Sequence, residues 1–264
     1  TPVVEKITEE AYEDDYPSIA ADGNDVYVAW QAYRNQAEEI LLRRRSNGVW
    51  SAPEKVTVQP GDLFGTSVAA GGGQVTVAWT EKAGDAWRVA SRTRTGAGWG
   101  PVEVVTPQMG SHLFVKAAAR GTDVHVVYQA WRGGASGVYL RSRINGQWRS
   151  EVALSNPRKP ARSNGWSPAV VAGSDGAVWV AWDGYESGSY NIYARAVRNN
   201  SPGELLTVTS SRRYHAHPTL ATDRQGRIWL AYDEGPENWG KDTGFLLKGG
   251  SGLYQARTIR VAVY

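Results

Sequence analysis

The chain has 264 residues and a net charge of +3, with its Arg spread along the sequence rather than gathered into the basic stripe of a nucleic-acid-binding protein. It has no Cys, which excludes a disulfide frame, a thiolate zinc site and a Cys nucleophile. Twelve Trp and thirteen Tyr dominate its large side chains, and no run reaches the roughly 18 apolar residues of a membrane-spanning helix.

The first predicted element is Val3-Val4-Glu5-Lys6-Ile7-Thr8, which reads as a fourth strand without the three that should precede it. Four short strands follow, at 18–21, 26–31, 40–45 and 54–57. Asp22-Gly23-Asn24 and Asn47-Gly48 supply tight turns between them. The second of these strands, Val26-Tyr27-Val28-Ala29-Trp30, then returns down the chain. It reappears as Val75-Thr76-Val77-Ala78-Trp79, Val124-His125-Val126-Val127-Tyr128, Val178-Trp179-Val180-Ala181-Trp182 and Ile228-Trp229-Leu230-Ala231-Tyr232. The closing aromatics stand 49, 49, 54 and 50 residues apart. A period of that size marks a fold in which one unit cannot bury its own apolar faces. These strands are apolar on both faces, as burial between neighbouring sheets requires. No stretch carries a helical period over ten residues.

The expected fold is therefore all-β: one β-propeller domain over residues 1–264, of four-stranded blades. The repeats run 9–57, 58–106, 107–155, 156–209 and 210–264, with 1–8 an extra strand near the last blade. Residues 258–263 also read as a fourth strand for the fifth repeat, so two segments compete for one place. A closed five-bladed ring is favoured because an open ring leaves two exposed edges. A piece of a larger propeller is the alternative. In the third strands Arg43, Arg92, Arg141 and Arg195 align, with Lys248 near the same place, and Trp50, Trp99 and Trp148 follow, with Tyr254 as fifth member. These columns are read as packing between blades.

The order Pro17-Ser18-Ile19-Ala20-Ala21, Tyr27-Val28-Ala29-Trp30, Ser46-Asn47-Gly48-Val49-Trp50 resembles the blades of sialidase-like (BNR-type) propellers of bacterial secreted proteins. The Asp-box turn of those blades is degenerate here: the turn and Trp remain, but its Asp and full spacing are lost. The family's Arg triad and Tyr nucleophile have no matching positions, so the resemblance implies a fold and not a reaction.

Function is expected on the loops after second strands, read as long and rich in side chains, and at the starts of first strands. The first group gives Tyr33, Arg34, Trp131, Arg132, Tyr185, Glu186 and Trp239. The second gives Asp15, His112, Trp166, His215 and His217, and Asp183 and Asp233 sit at second-strand ends. Rings beside Arg, Asp and Glu suit sugars, covering a C–H face while charged groups bond hydroxyls in pairs. His215 and His217, two apart, would share a face on a regular strand and could share a metal. No further ligand spacing supports one, and neither metal nor cofactor is expected. The leading reading is a secreted module, extracellular or periplasmic, that binds carbohydrate or another extracellular ligand, with no nucleic-acid partner. The chain starts Thr1-Pro2 without Met, so a removed leader is expected. One alternative is a glycoside hydrolase or polysaccharide lyase using carboxylates or His. The other is a protein-interaction domain of a larger protein.

Overall fold

The repeat becomes five antiparallel sheets in a computed structural model, which describes residues 4–8, 13–108, 110–155, 164–186, 188–237 and 257–264. Among these residues every regular element is a strand. Sheet one holds β1 (Glu13–Asp22), β2 (Asp25–Arg34), β3 (Ala37–Ser46) and β4 (Val49–Trp50) in that order, with β5 (Glu54–Lys55) also on β3. Sheet two is β6 (Leu63–Gly71), β7 (Gln74–Ala83), β8 (Ala86–Thr95) and β9 (Gly98–Val104). Sheet three is β10 (Ser111–Arg120), β11 (Asp123–Arg132), β12 (Ala135–Ile144) and β13 (Gln147–Trp148), with β14 (Val152–Ala153) on β12. Sheet four is β15 (Asn164–Ala172), β16 (Val178–Glu186), β17 (Ser189–Arg198) and β18 (Ser201–Pro202), with β19 (Leu206–Thr207) on β17. Sheet five is β20 (Arg213–Thr222), β21 (Ile228–Glu237) and β22 (Thr258–Val263).

The last strand corrects an expectation. β22 pairs directly with the second strand of its sheet, Trp229 opposite Val263 and Glu234 opposite Thr258, so it takes the third place and not the fourth. Its register sets Ala262 opposite Leu230, the place that Arg43 and Arg195 take opposite Val28 and Val180. Lys248 and Tyr254, expected near here, lie outside the described residues. In the first and third repeats the expected long loops after second strands are a second correction, while in the fifth residues 238–257 separate the second strand from the next. β2 runs on through Tyr33 and Arg34 and turns at Asn35-Gln36, and β11 runs on through Trp131 and Arg132 and turns at Gly133-Gly134, all four turn residues having positive φ. The chain after Trp30 and Tyr128 is polar because those strand ends leave the core.

The chain divides into two units, Thr1–Val126 with Arg143–Trp148, and Val127–Ser142 with Arg149–Tyr264. In unit one the core joins Tyr27, Ile40, Leu42, Leu63, Val77 and Trp79 from sheets one and two. The Arg column is tied to backbone. Arg92 donates from Nε to the Gly100 carbonyl at 2.7 Å and from a terminal nitrogen to that of Val56 at 2.9 Å, and Arg43 treats Ser51 and Ile7 in the same way. A Glu column runs beside it. Glu54 accepts from Arg94 (2.9 Å) and the Trp99 indole (3.0 Å); Glu5 accepts from Arg45 (3.1 Å) and Trp50 (2.7 Å). Residues 4–8, expected as a fourth strand, are not in a strand, yet Glu5 and Ile7 bond Arg45, Trp50 and Arg43 of sheet one just as Glu54 and Val56 bond Arg94, Trp99 and Arg92 of sheet two.

In unit two the core gathers Val127, Leu140, Leu154, Val180, Trp182 and Val197. A hydroxyl column closes the outer strands of both units. Thr57 and Thr106 in unit one, and Ser155 and Thr209 in unit two, each accept the N–H of a residue 17 positions earlier, at 3.1, 3.3, 2.9 and 2.9 Å. These donors are buried third-strand amides, which need a partner where no water reaches them.

The feature that shapes the site recurs once per repeat. Tyr16, Gly65, Phe114, Ser167 and His217 all have φ between 47° and 67°. Each sits within a first strand, and the register slips there between Asp15 and Ser18, Phe64 and Thr66, Trp166 and Ala169, and Ala216 and Thr219. These are β-bulges, which bend a strand and re-aim its side chains. Only glycine adopts this conformation without steric cost, and four of the five positions are not glycine.

Candidate functional site

Unit two draws several of the expected residues together around two of these bulges. Asp183 follows Trp182 on β16 and lies opposite Trp166. Its carboxyl is 3% exposed. It accepts the backbone N–H of His217 at 3.3 Å and the hydroxyl of Ser167, so the left-handed bulge residues of β15 and β20 both bond one carboxyl. Burial pushes the Asp183 carboxyl above the usual range, and these two bonds and the His217 ring oppose the shift.

In unit one Gln31 occupies the place of Asp183 and accepts the N–H of Gly65, the bulge residue of the next sheet, at 3.0 Å. The scaffold bond therefore needs only an amide oxygen. A carboxyl in its place adds an acid that the fold does not require. Gly184 beside it lets the backbone pack closely: a Cβ there would stand 2.9 Å from the Tyr193 ring.

Asp233 holds the corresponding position on β21, opposite Ala216. It bonds the His217 Nδ1 at 3.0 Å and accepts from Arg257 at 3.2 Å. The His217 side chain is 54% exposed. Aromatic rings lie in series alongside. Trp166 packs on Tyr190 with centroids 5.6 Å apart, Tyr190 meets Tyr185 at 5.0 Å and Tyr214 at 5.2 Å, and Arg257 lies over Tyr214 at 5.8 Å. The Tyr214 hydroxyl is pushed up to about 12, first by burial, then by the charge of Asp183, with Arg257 opposing.

The cluster thus unites Trp166, Asp183, Tyr185, His217 and Asp233. It adds Ser167, Tyr190, Tyr214 and Arg257, which the sequence did not single out as site residues. Tyr190 and Tyr214 follow the hairpin turn of β17 and the start of β20, places where a side chain meets the next strand's end. Arg257 precedes β22, and only the corrected register of that strand reveals it.

Other expected residues stand elsewhere. His215 is 3% exposed, with Nε2 3.4 Å from Glu234, which Arg260 and Arg213 also hold at 2.9 and 3.2 Å. The bulge at His217 breaks the strand's alternation, so His215 is buried while His217 is exposed, and the shared metal face is not formed. Among the described residues no cluster of three His, Asp or Glu could hold a metal. Arg132 grips Glu151 at 2.5 and 2.9 Å and lies 4.1 Å over the Tyr139 ring, with the Tyr128 hydroxyl on the same carboxylate. Trp131 beside it is 53% exposed. Glu186 accepts from the Tyr193 hydroxyl at 3.4 Å. Trp239 lies outside the described residues.

In unit one His112 is 1% exposed with Nδ1 2.8 Å from the Trp87 carbonyl, a core residue rather than a pocket wall. Asp15 is exposed opposite Gln31. Tyr33 is 43% exposed. Arg34 lies 3.7 Å from Asp14 and 4.0 Å from buried Glu39, and lines a cavity of about 370 Å³ with Ala37, Glu39, Lys55 and Pro60.

No family model matches the sequence, and no curated protein does. Solved structures do match. A protein of unknown function from Dyadobacter fermentans superposes with a TM-score of 0.61 at 12% identity, over 85% of this chain and 76% of that one. A Hadza microbial sialidase gives 0.56 at 12%, over 85% and 50%. An endo-arabinase from Bacteroides thetaiotaomicron gives 0.51 at 13%, over 86% and 94%. At these identities the likeness speaks for the fold alone: all-β, of four-stranded antiparallel sheets, in the manner of the sialidase-like propeller.

Proposed function

We propose that the protein is a carbohydrate-binding propeller module, with five sheets as five blades and its ligand held at the Asp183–Asp233 cluster of unit two. The observation that carries this is the series Trp166, Tyr190, Tyr214, Arg257, ending beside Asp233 and His217. Rings cover the C–H face of a sugar, and an acid, a base and a guanidinium at one end bond its hydroxyls in pairs. That solved chains of this fold include a sialidase and an endo-arabinase supports glycans as the probe. The test is a glycan array followed by titration of the best hits. Trp166→Ala is expected to weaken binding about tenfold, the loss of roughly 1–1.5 kcal/mol of ring contact. Binding that survives Trp166→Ala and Arg257→Ala together places the ligand elsewhere.

A second reading, hydrolysis of the bound glycan, is favoured by one observation: burial holds the Asp183 carboxyl toward its protonated form near a second, charge-paired acid. Glycosidases divide their work between carboxyls whose environments differ in this way. Asp183→Asn would then reduce turnover far more than affinity, because an acid acts mainly on the transition state.

A further inference from the structure

We infer that His217 Nε2 is a general base, and that the bound glycan is an acidic one, cleaved by β-elimination next to a uronic carboxylate. The inference rests on the glycan reading above and deepens it. Asp233 accepts from Arg257, and an ionised carboxylate can only accept. The His217 Nδ1 at 3.0 Å therefore carries the proton that Asp233 receives, which leaves the Nε2 lone pair on a ring 54% exposed. Base and orienting carboxylate in this arrangement are the parts of a proton-transfer site.

The backbone supports the assignment. His217 is held at φ 52° with its N–H tied to Asp183. Gly65 makes the same bulge and the same bond to Gln31 at no steric cost. At the matching corners Tyr16 and Phe114 pack their rings on Phe64, whereas the His217 ring is 54% exposed and bonds Asp233, so its left-handed conformation points to a demand other than packing.

The charged groups facing His217 are Asp233 on β21, Arg257 before β22, and buried Asp183 on β16. Among them Arg257 is the cation, its side chain 32% exposed and set on the same Asp233 oxygen as the imidazole. A uronic carboxylate set against Arg257 has its charge offset, which makes the C–H next to it more acidic. His217 Nε2 takes that proton from C5, the electron pair forms the C4=C5 double bond, and the C4–O bond breaks. The leaving oxygen takes a proton from water, and the hydroxide left behind takes the proton from the imidazolium. No water is consumed, and no oxidant or metal enters.

The experiment incubates the full chain with 4-linked uronate polysaccharides: polygalacturonate, glucuronan and alginate. It follows the ultraviolet absorbance of the conjugated double bond and the product masses. The expected result is unsaturated ends with no gain of water. His217→Ala should then lower the rate by about 100-fold or more while affinity stays within a few fold. Asp233→Asn, which removes the charge that orients His217, should lower kcat and alter the pH dependence of kcat/KM. His217→Gly, which keeps the bulge, should be equally inactive though fully folded. Products that have gained water, binding without product, or His217→Ala at the wild-type rate would each overturn the inference and leave the glycan reading standing. No binding to any glycan of the array or to these three polymers would overturn both.

Discussion

His125 and Asp183 are buried ionisable groups whose effects on stability run in opposite directions with pH. Burial lowers the His125 imidazole from 6.5 to about 4. The unfolded chain therefore binds more protons between those values, and stability falls as pH drops from 6.5 through 4. That shift corresponds to about 3 kcal/mol. His125→Thr copies Thr76, the buried residue at the same place in the second repeat. Urea unfolding at pH 7 and pH 4 should show the wild type losing about 3 kcal/mol more than this variant. Asp183 has the reverse sign. Its carboxyl is raised, so its contribution is fully present below the unfolded value near 3.9 and is lost as pH rises through the folded one. Asp183→Asn should therefore gain stability relative to wild type between pH 3 and pH 7. A gain that is flat with pH would show that burial does not raise the Asp183 carboxyl.

At the scale of strands, the sequence was legible wherever a local rule and a repeated environment coincide. Val26-Tyr27-Val28-Ala29-Trp30 and its copies became the buried second strands because both faces are covered, and Asn47-Gly48 and Asn145-Gly146 became tight turns because both residues accept positive φ. The Arg column was read as structural, and Arg92 ties two carbonyls from its own and the preceding sheet. Arg92→Ala should cost about 1–2 kcal/mol in urea unfolding, the loss of two charge-assisted bonds partly shared with water, and leave glycan affinity unchanged. What local rules missed were bulges. A residue such as His217 carries no turn signal, and reading its strand as regular put His215 and His217 on one face. In repeats one and three the loop reading failed for a related reason: Tyr33-Arg34 and Trp131-Arg132 mark a strand end leaving the core, not a loop.

For the whole molecule, the period gave the number of sheets, while the site depended on which strands lie side by side. Asp183, His217 and Asp233 were accessible from their repeat positions, since each stands one step outside a conserved slot of the repeat. Tyr190 and Arg257 were not, because a hairpin tip and the chain before β22 reach the cluster only through pairing across tens of residues. Occupancy of that cluster should be felt globally. A ligand that binds only the folded chain stabilises it by about 2.7 kcal/mol at a hundredfold excess over Kd. Thermal melts with the best array hit should show the rise in wild type and lose most of it in Trp166→Ala.

The left-handed corner of each first strand also makes a statement about descent. Backbone in that conformation costs a non-glycine residue roughly 1–2 kcal/mol, offset in part by the greater freedom of unfolded glycine. His217→Gly should on this account fold about 0.5 kcal/mol more stably. Such a cost favours glycine at these five corners, and the second repeat, with Gly65, has it. Tyr16 and Phe114 fill their corners with rings that pack on Phe64 at 5.2 and 5.7 Å, whereas Ser167 and His217 bond Asp183. In a set of descendants that had lost the use of the cluster, glycine should accumulate at 167 and 217 first, so the corner residues serve as a molecular record of whether the site is still under selection.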